Sequence, residues 1–171
     1  MDSKESLAEE THMWMPHTSN CIDETSEKLE TTEMLKGLCV YTIQITKNEK
    51  NFPKRDRWVL TQHIVKEAVK AYTHAKKANA VEVITMDDYA LRRKHQVKAR
   101  TCLEALISLI EIAQLVLSLE ADRVEYWAQC AVNCEKMLAA WRASDRKRYK
   151  ARLEGQDPKQ GRDTRKGEEP G

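Results

Sequence analysis

Two clusters of basic side chains have the types and spacing that suit one binding chemistry, the recognition of phosphate groups. The segment 52–58 reads Phe-Pro-Lys-Arg-Asp-Arg-Trp, and the segment 92–95 reads Arg-Arg-Lys-His. Both lie at the starts of stretches with helical periodicity. Because Pro53 fixes its own φ and has no N–H to lose at a helix start, we expect the three cations that follow it to be held in an ordered first turn.

Lys and Arg at the start of a helix oppose the helix dipole, which favours carboxylates there. A phosphate group bound at the same place reverses this small electrostatic cost. The pattern therefore favours a polyanionic partner. For any single residue the plain alternative, a solvated side chain on a helix, stays open, because most Lys and Arg residues in proteins are exposed to solvent.

Aromatic side chains near these cations suggest base stacking, which is common in proteins that bind single strands. Trp127 and Trp141 fall on the apolar seam of a predicted helix, so we expect them to be core anchors. Tyr126 lies beside that seam and stays open. Trp58 also stays open, because it is placed equally well to close the entry turn or to face a ligand.

Metal and catalytic chemistry have little support in the residue spacing. Cys130 and Cys134 share a helix face and would need His63 or His74 as further zinc ligands, but the sequence has no Cys-x-x-Cys and no paired histidines. We expect buried thiols instead. The sequence also lacks a P-loop, a Gly-x-Ser-x-Gly, a His-Glu-x-x-His and a glycine-rich dinucleotide turn. We therefore expect no metal, no cofactor, no catalytic residue and no enzymatic activity.

The elements that position the basic clusters are predicted to be helices. The chain has 171 residues, 33% of them charged, with five glycines and four prolines. That length suits one core, and the middle of the chain is dominated by helix-forming Ala, Leu, Glu, Lys and Arg. The composition predicts one all-α domain.

Four segments with helical periodicity follow one another over 32–150. They begin near Thr32, near Lys54, after the N-cap residue Thr85 and after 120–122. Apolar residues three and four positions apart give the third and fourth helices a core seam. These seams are Gln96, Ala99, Leu103, Leu106, Ile110, Ala113 and Leu117, and Val124, Trp127, Ala131, Cys134, Leu138 and Trp141. The short connections predict an up-and-down antiparallel four-helix bundle.

Charge divides the chain into three unlike parts. Residues 1–35 carry nine acidic and two basic side chains, a net charge of −7, whereas 36–150 carry 22 basic and 13 acidic ones, a net charge of +9. The last segment, 151–171, has five of each sign. We predict a disordered acidic leader over 1–31, a basic bundle over 32–150 and a disordered polar tail over 151–171.

The cellular setting is predicted from the cysteines and the apolar runs. Five cysteines, an odd number with no Cys-x-x-Cys pair, and the lack of a signal-peptide pattern predict a reduced, cytoplasmic protein. The longest apolar stretch, 103–119, is broken by five polar residues. We therefore expect no membrane span.

The second half of the third helix is apolar around most of its circumference, more than the core of one bundle needs. Such an excess is typical of a subunit interface. We therefore predict a homo-oligomer whose interface includes Ile107, Leu109, Ile112, Leu115 and Val116.

Three strings in fixed order carry a family resemblance. They are Asn51-Phe52-Pro53-Lys54-Arg55-Asp56-Arg57-Trp58, then Asp88-Tyr89-Ala90-Leu91-Arg92-Arg93, and last Arg123-Val124-Glu125-Tyr126-Trp127 with Trp141-Arg142-Ala143-Ser144-Asp145. With these strings, roughly residues 35–150 resemble the accessory variability determinant (Avd) family of diversity-generating retroelements. Members of that family are four-helix-bundle proteins.

The resemblance implies a basic, barrel-like homopentamer without catalytic residues of its own. Such a protein associates with the retroelement's reverse transcriptase and with RNA or DNA, and it supports mutagenic retrohoming from a template RNA. On this interpretation the candidate contacts with nucleic acid or the polymerase are Lys54, Arg55, Arg57, Arg92, Arg93, Lys94, Arg146 and Arg148.

Two alternatives stay open. The chain also resembles the related four-helix proteins encoded by intervening sequences of ribosomal RNA genes, which share the Phe-Pro turn between the first two helices. It is also compatible with an interaction module whose partner is another protein. The acidic leader departs from the Avd pattern, and we consider two explanations for it: the leader screens the basic surface, or Met34 is the true start.

Overall fold

The structure, a computed structural model, describes residues 24–150 and Gly155, and this part of the chain holds four long helices and no strand. The helices are α1 (Glu24–Lys47), α2 (Gln62–Ala80), α3 (Met86–Leu117) and α4 (Ala121–Asp145). A 3-10 turn, Lys54–Asp56, and a π-helical turn, Arg57–Thr61, lead into α2, and a second π-helical turn, Arg146–Lys150, extends α4. The predicted all-α class is confirmed for the described residues.

Helix α1 begins eight residues before the predicted boundary at Thr32. Thr31 and Thr32 are buried, and the Thr32 hydroxyl donates a 2.9 Å hydrogen bond to the carbonyl of Leu29 within the helix. This internal bond lets a polar side chain lie in the interior, which composition alone does not reveal. The leader prediction is therefore corrected for residues 24–31, while 1–23 and the tail beyond Lys150, Gly155 apart, lie outside the described residues.

The start of α3 is fixed by a capping box. The backbone N–H of Asp88 donates to the Thr85 hydroxyl at 3.2 Å, and the backbone N–H of Thr85 donates to the Asp88 carboxylate at 2.9 Å. Two backbone donors that helix geometry leaves unpaired are thereby satisfied. The predicted N-cap at Thr85 is confirmed, and α3 ends where Ser118 takes up the left-handed conformation at φ 51°.

The core is formed by the predicted seams. Every seam residue of α3 and α4 is buried except Leu117, which is half-buried. Helix α2 contributes four buried alanines, Ala68, Ala71, Ala75 and Ala78. Such small side chains let two helix backbones approach closely, and α2 packs against both α1 and α3, whereas α4 packs against both α3 and α1.

Contacts between facing helices show how they run relative to one another. Between α2 and α3, His74 contacts His95, and Glu67 contacts Cys102. Glu67 lies seven residues before His74 on α2, whereas Cys102 lies seven residues after His95 on α3. Between α3 and α4, Arg92 meets Asp145, and Arg100 meets Glu135. In each pair of helices, a contact at a higher residue number on one helix corresponds to a contact at a lower residue number on the other.

The predicted interface residues fall into two groups. Ile112, Leu115 and Val116 are exposed, with Leu115 at 83%. Ile107 and Leu109 are half-buried and pack partly against the core. The α3 surface near its C-terminus therefore presents apolar side chains to solvent within the described part of the chain.

Candidate nucleic-acid interface

The basic turn, residues 52–58, is fixed to the core by Phe52. This ring is 3% exposed and packs edge-on against Trp127, with 6.2 Å between ring centroids. The backbone N–H of Phe52 also donates a 2.8 Å hydrogen bond to the carbonyl of Asn48. Pro53 follows in an extended conformation, at φ −58° and ψ 148°, and opens the 3-10 turn. The ordered turn expected from the sequence is therefore present.

The indole of Trp127 gives this anchor a defined position. Trp127 is fully buried, and its Nε1–H donates a 3.0 Å hydrogen bond to the hydroxyl of Thr42 on α1. A buried indole N–H needs such a partner, because leaving it unpaired costs about 1–3 kcal/mol. The contact connects α1, α4 and the loop after α1 at one end of the helices.

The cations of the basic turn point to solvent. Lys54, Arg55 and Arg57 are all exposed. Lys54 lies 3.2 Å from Glu49, and Arg55 lies 3.4 Å from Asp56. Ion pairs of this exposed kind contribute little to stability, so a phosphate group can replace them at small cost.

A second basic feature, the basic pocket, lies between α3 and the end of α4. It is a cavity of about 580 Å³ lined by five cationic residues and two alanines, and none of the described residues in its wall carries a carboxylate. The lining residues are Arg93, Ala139, Arg142, Ala143, Arg146, Lys147 and Lys150. Cations held around one hollow form a site for an anion.

The spacing of α4 and its π-helical turn builds this pocket. Arg142, Arg146 and Lys150 follow one another at four-residue intervals, so their side chains share a helix face. Ala139 and Ala143 repeat the same interval and leave the space that larger side chains would fill. Arg93 closes the pocket from α3.

Positive charges lie close together around Arg142. Burial, together with the nearby guanidinium groups of Arg93 and Arg100, lowers the pKa of Arg142, and the carboxylate of Glu104 acts in the opposite direction. The buried Nε of Arg142 has no hydrogen-bond partner among the described residues. An anion in the pocket would supply both a counter-charge and an acceptor.

Arg92 lies in the interior and not on the predicted contact surface. It is 4% exposed, and its guanidinium lies 3.5 Å from the carboxylate of Asp145, which is 1% exposed. The same guanidinium donates to the carbonyl of Val81 and lies 5.3 Å from the ring centroid of Tyr149. The candidate surface is therefore drawn without Arg92, because a buried and paired cation cannot meet a ligand in this conformation.

The buried network around Asp145 positions the basic pocket. Gln96 donates a 2.7 Å hydrogen bond to the second oxygen of this carboxylate. Burial raises the pKa of Asp145, while Arg92 and Gln96 act in the opposite direction. These contacts fix α3 to the end of α4. Arg93 follows Arg92 and Arg146 follows Asp145, so both line the same cavity.

The remaining predicted cations lie apart from both features. Lys94 is exposed and next in sequence to His95, whose ring contacts His74 of α2. Arg148 lies over the ring of Tyr149, 5.9 Å from its centroid. Of the eight candidates, three are therefore on the basic turn, Arg93 and Arg146 are in the basic pocket, and Arg92, Lys94 and Arg148 are elsewhere.

Arg142, Lys147 and Lys150 belong to the pocket but are absent from the predicted set. They belong to a basic run at the end of α4, where cations also complement the negative end of the helix dipole, so the run alone does not indicate a binding site. Ala139 and Ala143 share the four-residue interval of these cations and line the same pocket.

The basic turn and the basic pocket lie at opposite ends of the helices. The turn contacts Trp127, near the start of α4, whereas the pocket begins at Ala139. At 1.5 Å per residue, the 15 residues from Trp127 to Arg142 correspond to about 22 Å. The two features are therefore separate contact sites within one subunit.

The cysteines and histidines weighed for metal binding do not form a ligand set within the described part of the chain. Burial raises the pKa of the Cys134 thiol to about 12 and also raises that of Cys130. His63 is exposed, and His74 lies with its Nδ1 3.2 Å from the Nδ1 of His95. Within 24–150, no three His, Cys, Asp or Glu side chains are grouped as metal ligands would be.

No protein-family model, curated protein or solved structure matches this chain. Among the described helices, none is both long and apolar enough to span a bilayer.

Proposed function

We propose that this chain is a non-catalytic protein that binds nucleic acid, with the basic pocket as its main site for phosphate groups. The observation that carries the proposal is the wall of the pocket, where the described part of the chain places five cationic side chains and two alanines. The exposed cations of the basic turn form a second site at the other end of the helices. Contacts of this kind position a nucleic acid without reading its sequence.

The helix contacts and the resemblance make the proposal more specific. The four helices form an up-and-down antiparallel bundle in this proposal, which the opposed contacts of α2 with α3 and of α3 with α4 support. On the resemblance to the Avd family, the protein is a cytoplasmic, homopentameric accessory subunit that binds a reverse transcriptase and its template RNA. A reverse-transcriptase gene beside the gene of this protein would support that role.

A second candidate function is favoured by the exposed apolar residues of α3. Leu115 and Val116, at 83% and 64% exposure, suit contact with another protein. In an interaction module of this kind, apolar contacts supply most of the affinity. Such a module would show little RNA binding at physiological salt.

Salt dependence separates the two functions. Binding of a single-stranded RNA is measured by fluorescence anisotropy between about 50 and about 200 mM salt. The variant Arg93→Gln/Arg146→Gln/Lys147→Gln removes three cations from the pocket. Since each phosphate contact contributes about 0.7 to the slope of log K against log salt for single strands, we expect this slope to become shallower by up to about 2.

The matched control removes the same net charge from another surface. Lys47→Gln/Lys66→Gln/Lys76→Gln neutralises three exposed lysines on α1 and α2. If the pocket binds phosphates, the control keeps the slope of the unmodified protein to within about half a unit. Equal effects of the two triple variants would indicate general charge attraction, and would count against the pocket as the site.

A further inference from the structure

Trp58 differs from the other tryptophans of the described residues. Trp127 and Trp141 are buried at 0% and 2% exposure, whereas Trp58 is 74% exposed and its neighbour Val59 is 77% exposed. A large aromatic ring usually packs in a core or finds a partner. The exposed indole on this ordered turn has no such packing.

The local backbone holds this indole outward. In the π-helical turn Arg57–Thr61, Leu60 is the buried residue that reaches the core. Trp58 and Val59 precede it and lie on the outer side of the turn. Because Phe52 fixes the preceding loop against Trp127, the outward ring is carried on a supported segment.

The faces of the indole are open within the described part of the chain. No described aromatic ring or guanidinium packs over Trp58, and its Nε1–H makes no hydrogen bond to a described residue. In contrast, Tyr126, the other aromatic residue left open by the sequence, packs edge-on against Tyr41 with 5.4 Å between ring centroids. Of these two residues, Trp58 is therefore the one whose ring is open to a ligand.

The charges around Trp58 decide which ligand suits it. Lys54, Arg55 and Arg57 are exposed on the same short segment, and within 24–150 the carboxylates paired with them are those of Glu49 and Asp56. Arg57 has no ion-pair partner among residues 24–150. A purely apolar partner gains nothing from three cations, whereas a phosphate backbone with unpaired bases matches both the charges and the ring.

We propose that Trp58 stacks on an unpaired base of a single-stranded nucleic acid whose phosphates are held by Lys54, Arg55 and Arg57. The proposal rests on the proposed function and specifies its ligand. In a duplex the faces of internal bases are covered by their neighbours, so stacking on Trp58 favours single strands. Every base has a π face, so the contact tolerates any sequence.

Three probes and three variants test this proposal. The probes are a single-stranded oligoadenylate RNA of about 15 nucleotides, a blunt RNA duplex of the same length and inorganic polyphosphate. The variants are Trp58→Ala, Trp58→Phe and, as a matched control, Val59→Ala, which removes an equally exposed side chain without a ring. Since Trp58 is exposed, far-UV circular dichroism is expected to be the same for all of them.

Loss of the ring is expected to weaken binding of the single strand alone. Trp58→Ala should raise Kd for the oligoadenylate by at least about fivefold, because stacking of one base on an aromatic ring contributes that much or more. The Kd values for the duplex and for polyphosphate should change by less than about twofold. Trp58→Phe should recover part of the loss, and Val59→Ala should bind like the unmodified protein.

The outcomes separate this inference from the proposed function. If Trp58→Ala leaves the single-strand Kd unchanged, or weakens all three probes equally, the stacking role is overturned while phosphate binding stands. If the unmodified protein binds none of the probes in low salt, the proposed function fails and this inference fails with it. If Trp58→Ala alters only the size of the protein in solution, the ring contacts a protein, which also overturns the inference.

Discussion

Removal of the Asp145 carboxylate tests the buried network that positions the basic pocket. In the variant Asp145→Ala, the Arg92 guanidinium loses its buried counter-charge, and the amide of Gln96 loses the acceptor of its 2.7 Å hydrogen bond. Arg92 stays in a site with 4% exposure, where water cannot replace the carboxylate. The variant therefore leaves an uncompensated charge in the core.

The expected loss follows from the contacts that remain. Breaking a buried ion pair by removing one partner destabilises a protein by about 3–5 kcal/mol. Here the guanidinium keeps its contacts with the Val81 carbonyl and the Tyr149 ring, so we expect the lower part of that range, about 3 kcal/mol. With a urea m value of about 2 kcal/mol/M, the midpoint of unfolding should fall by about 1.5 M.

Urea unfolding followed by circular dichroism measures this loss, and two controls accompany it. Glu135→Ala removes the partner of Arg100 at the surface between the same two helices, and should cost less than about 1 kcal/mol. Arg92→Met/Asp145→Ala removes both charges, and should lose less free energy of unfolding than Asp145→Ala, because no charge is left unpaired.

Two results would refute this reasoning. If Asp145→Ala shifts the midpoint no more than Glu135→Ala, the pair of Arg92 and Asp145 is not a buried ion pair in solution. If Arg92→Met/Asp145→Ala is less stable than Asp145→Ala, the Arg92 side chain stabilises the fold by its packing. The loss in Asp145→Ala would then not come from an unpaired charge on Arg92.

Two further predictions concern the ends and the sides of the helices. Thr42→Val removes the acceptor of the buried Trp127 indole N–H, and the free energy of unfolding should fall by about 1–3 kcal/mol in urea titrations, whereas an unchanged value would show that the bond is not formed. Burial and neighbouring cations lower the pKa of both His74 and His95, so the unfolded chain binds protons more readily, and stability should be lost as pH falls from about 7 to about 5. Urea midpoints at the two pH values should differ less in His74→Gln/His95→Gln than in the control His63→Gln, and equal differences would contradict this prediction.

The sequence predicted the core well because a helical seam depends on local spacing. Val124, Leu138 and the two seam tryptophans are buried where the three-and-four pattern requires. The capping box at Thr85 was also predictable, because its partner Asp88 is three residues away. Contacts within one helical turn can be predicted from the sequence directly, because both residues lie within a few positions of each other.

The candidate site was only partly predictable, because its parts are joined through space. Arg92 and Arg93 are adjacent and chemically alike, but one is buried against Asp145 and the other lines the basic pocket. Which of the two arginines is buried depends on how α3 is rotated relative to α4, and the contact that fixes this rotation joins Arg92 to Asp145, 53 residues later. The start of α1 was also missed. Thr31 and Thr32 are polar residues, which the sequence alone assigns to the surface, but the structure buries both of them.

The most direct test of the central claim is a map of the lysines that RNA protects. The protein is acetylated under limiting conditions with and without a single-stranded RNA, and modification is read by mass spectrometry at each lysine. We expect Lys147 and Lys150 in the basic pocket, and Lys54 on the basic turn, to be protected, while Lys66 and Lys76 on the outer face of α2 stay reactive. Uniform protection of all five lysines, or none at Lys147 and Lys150, would contradict the account.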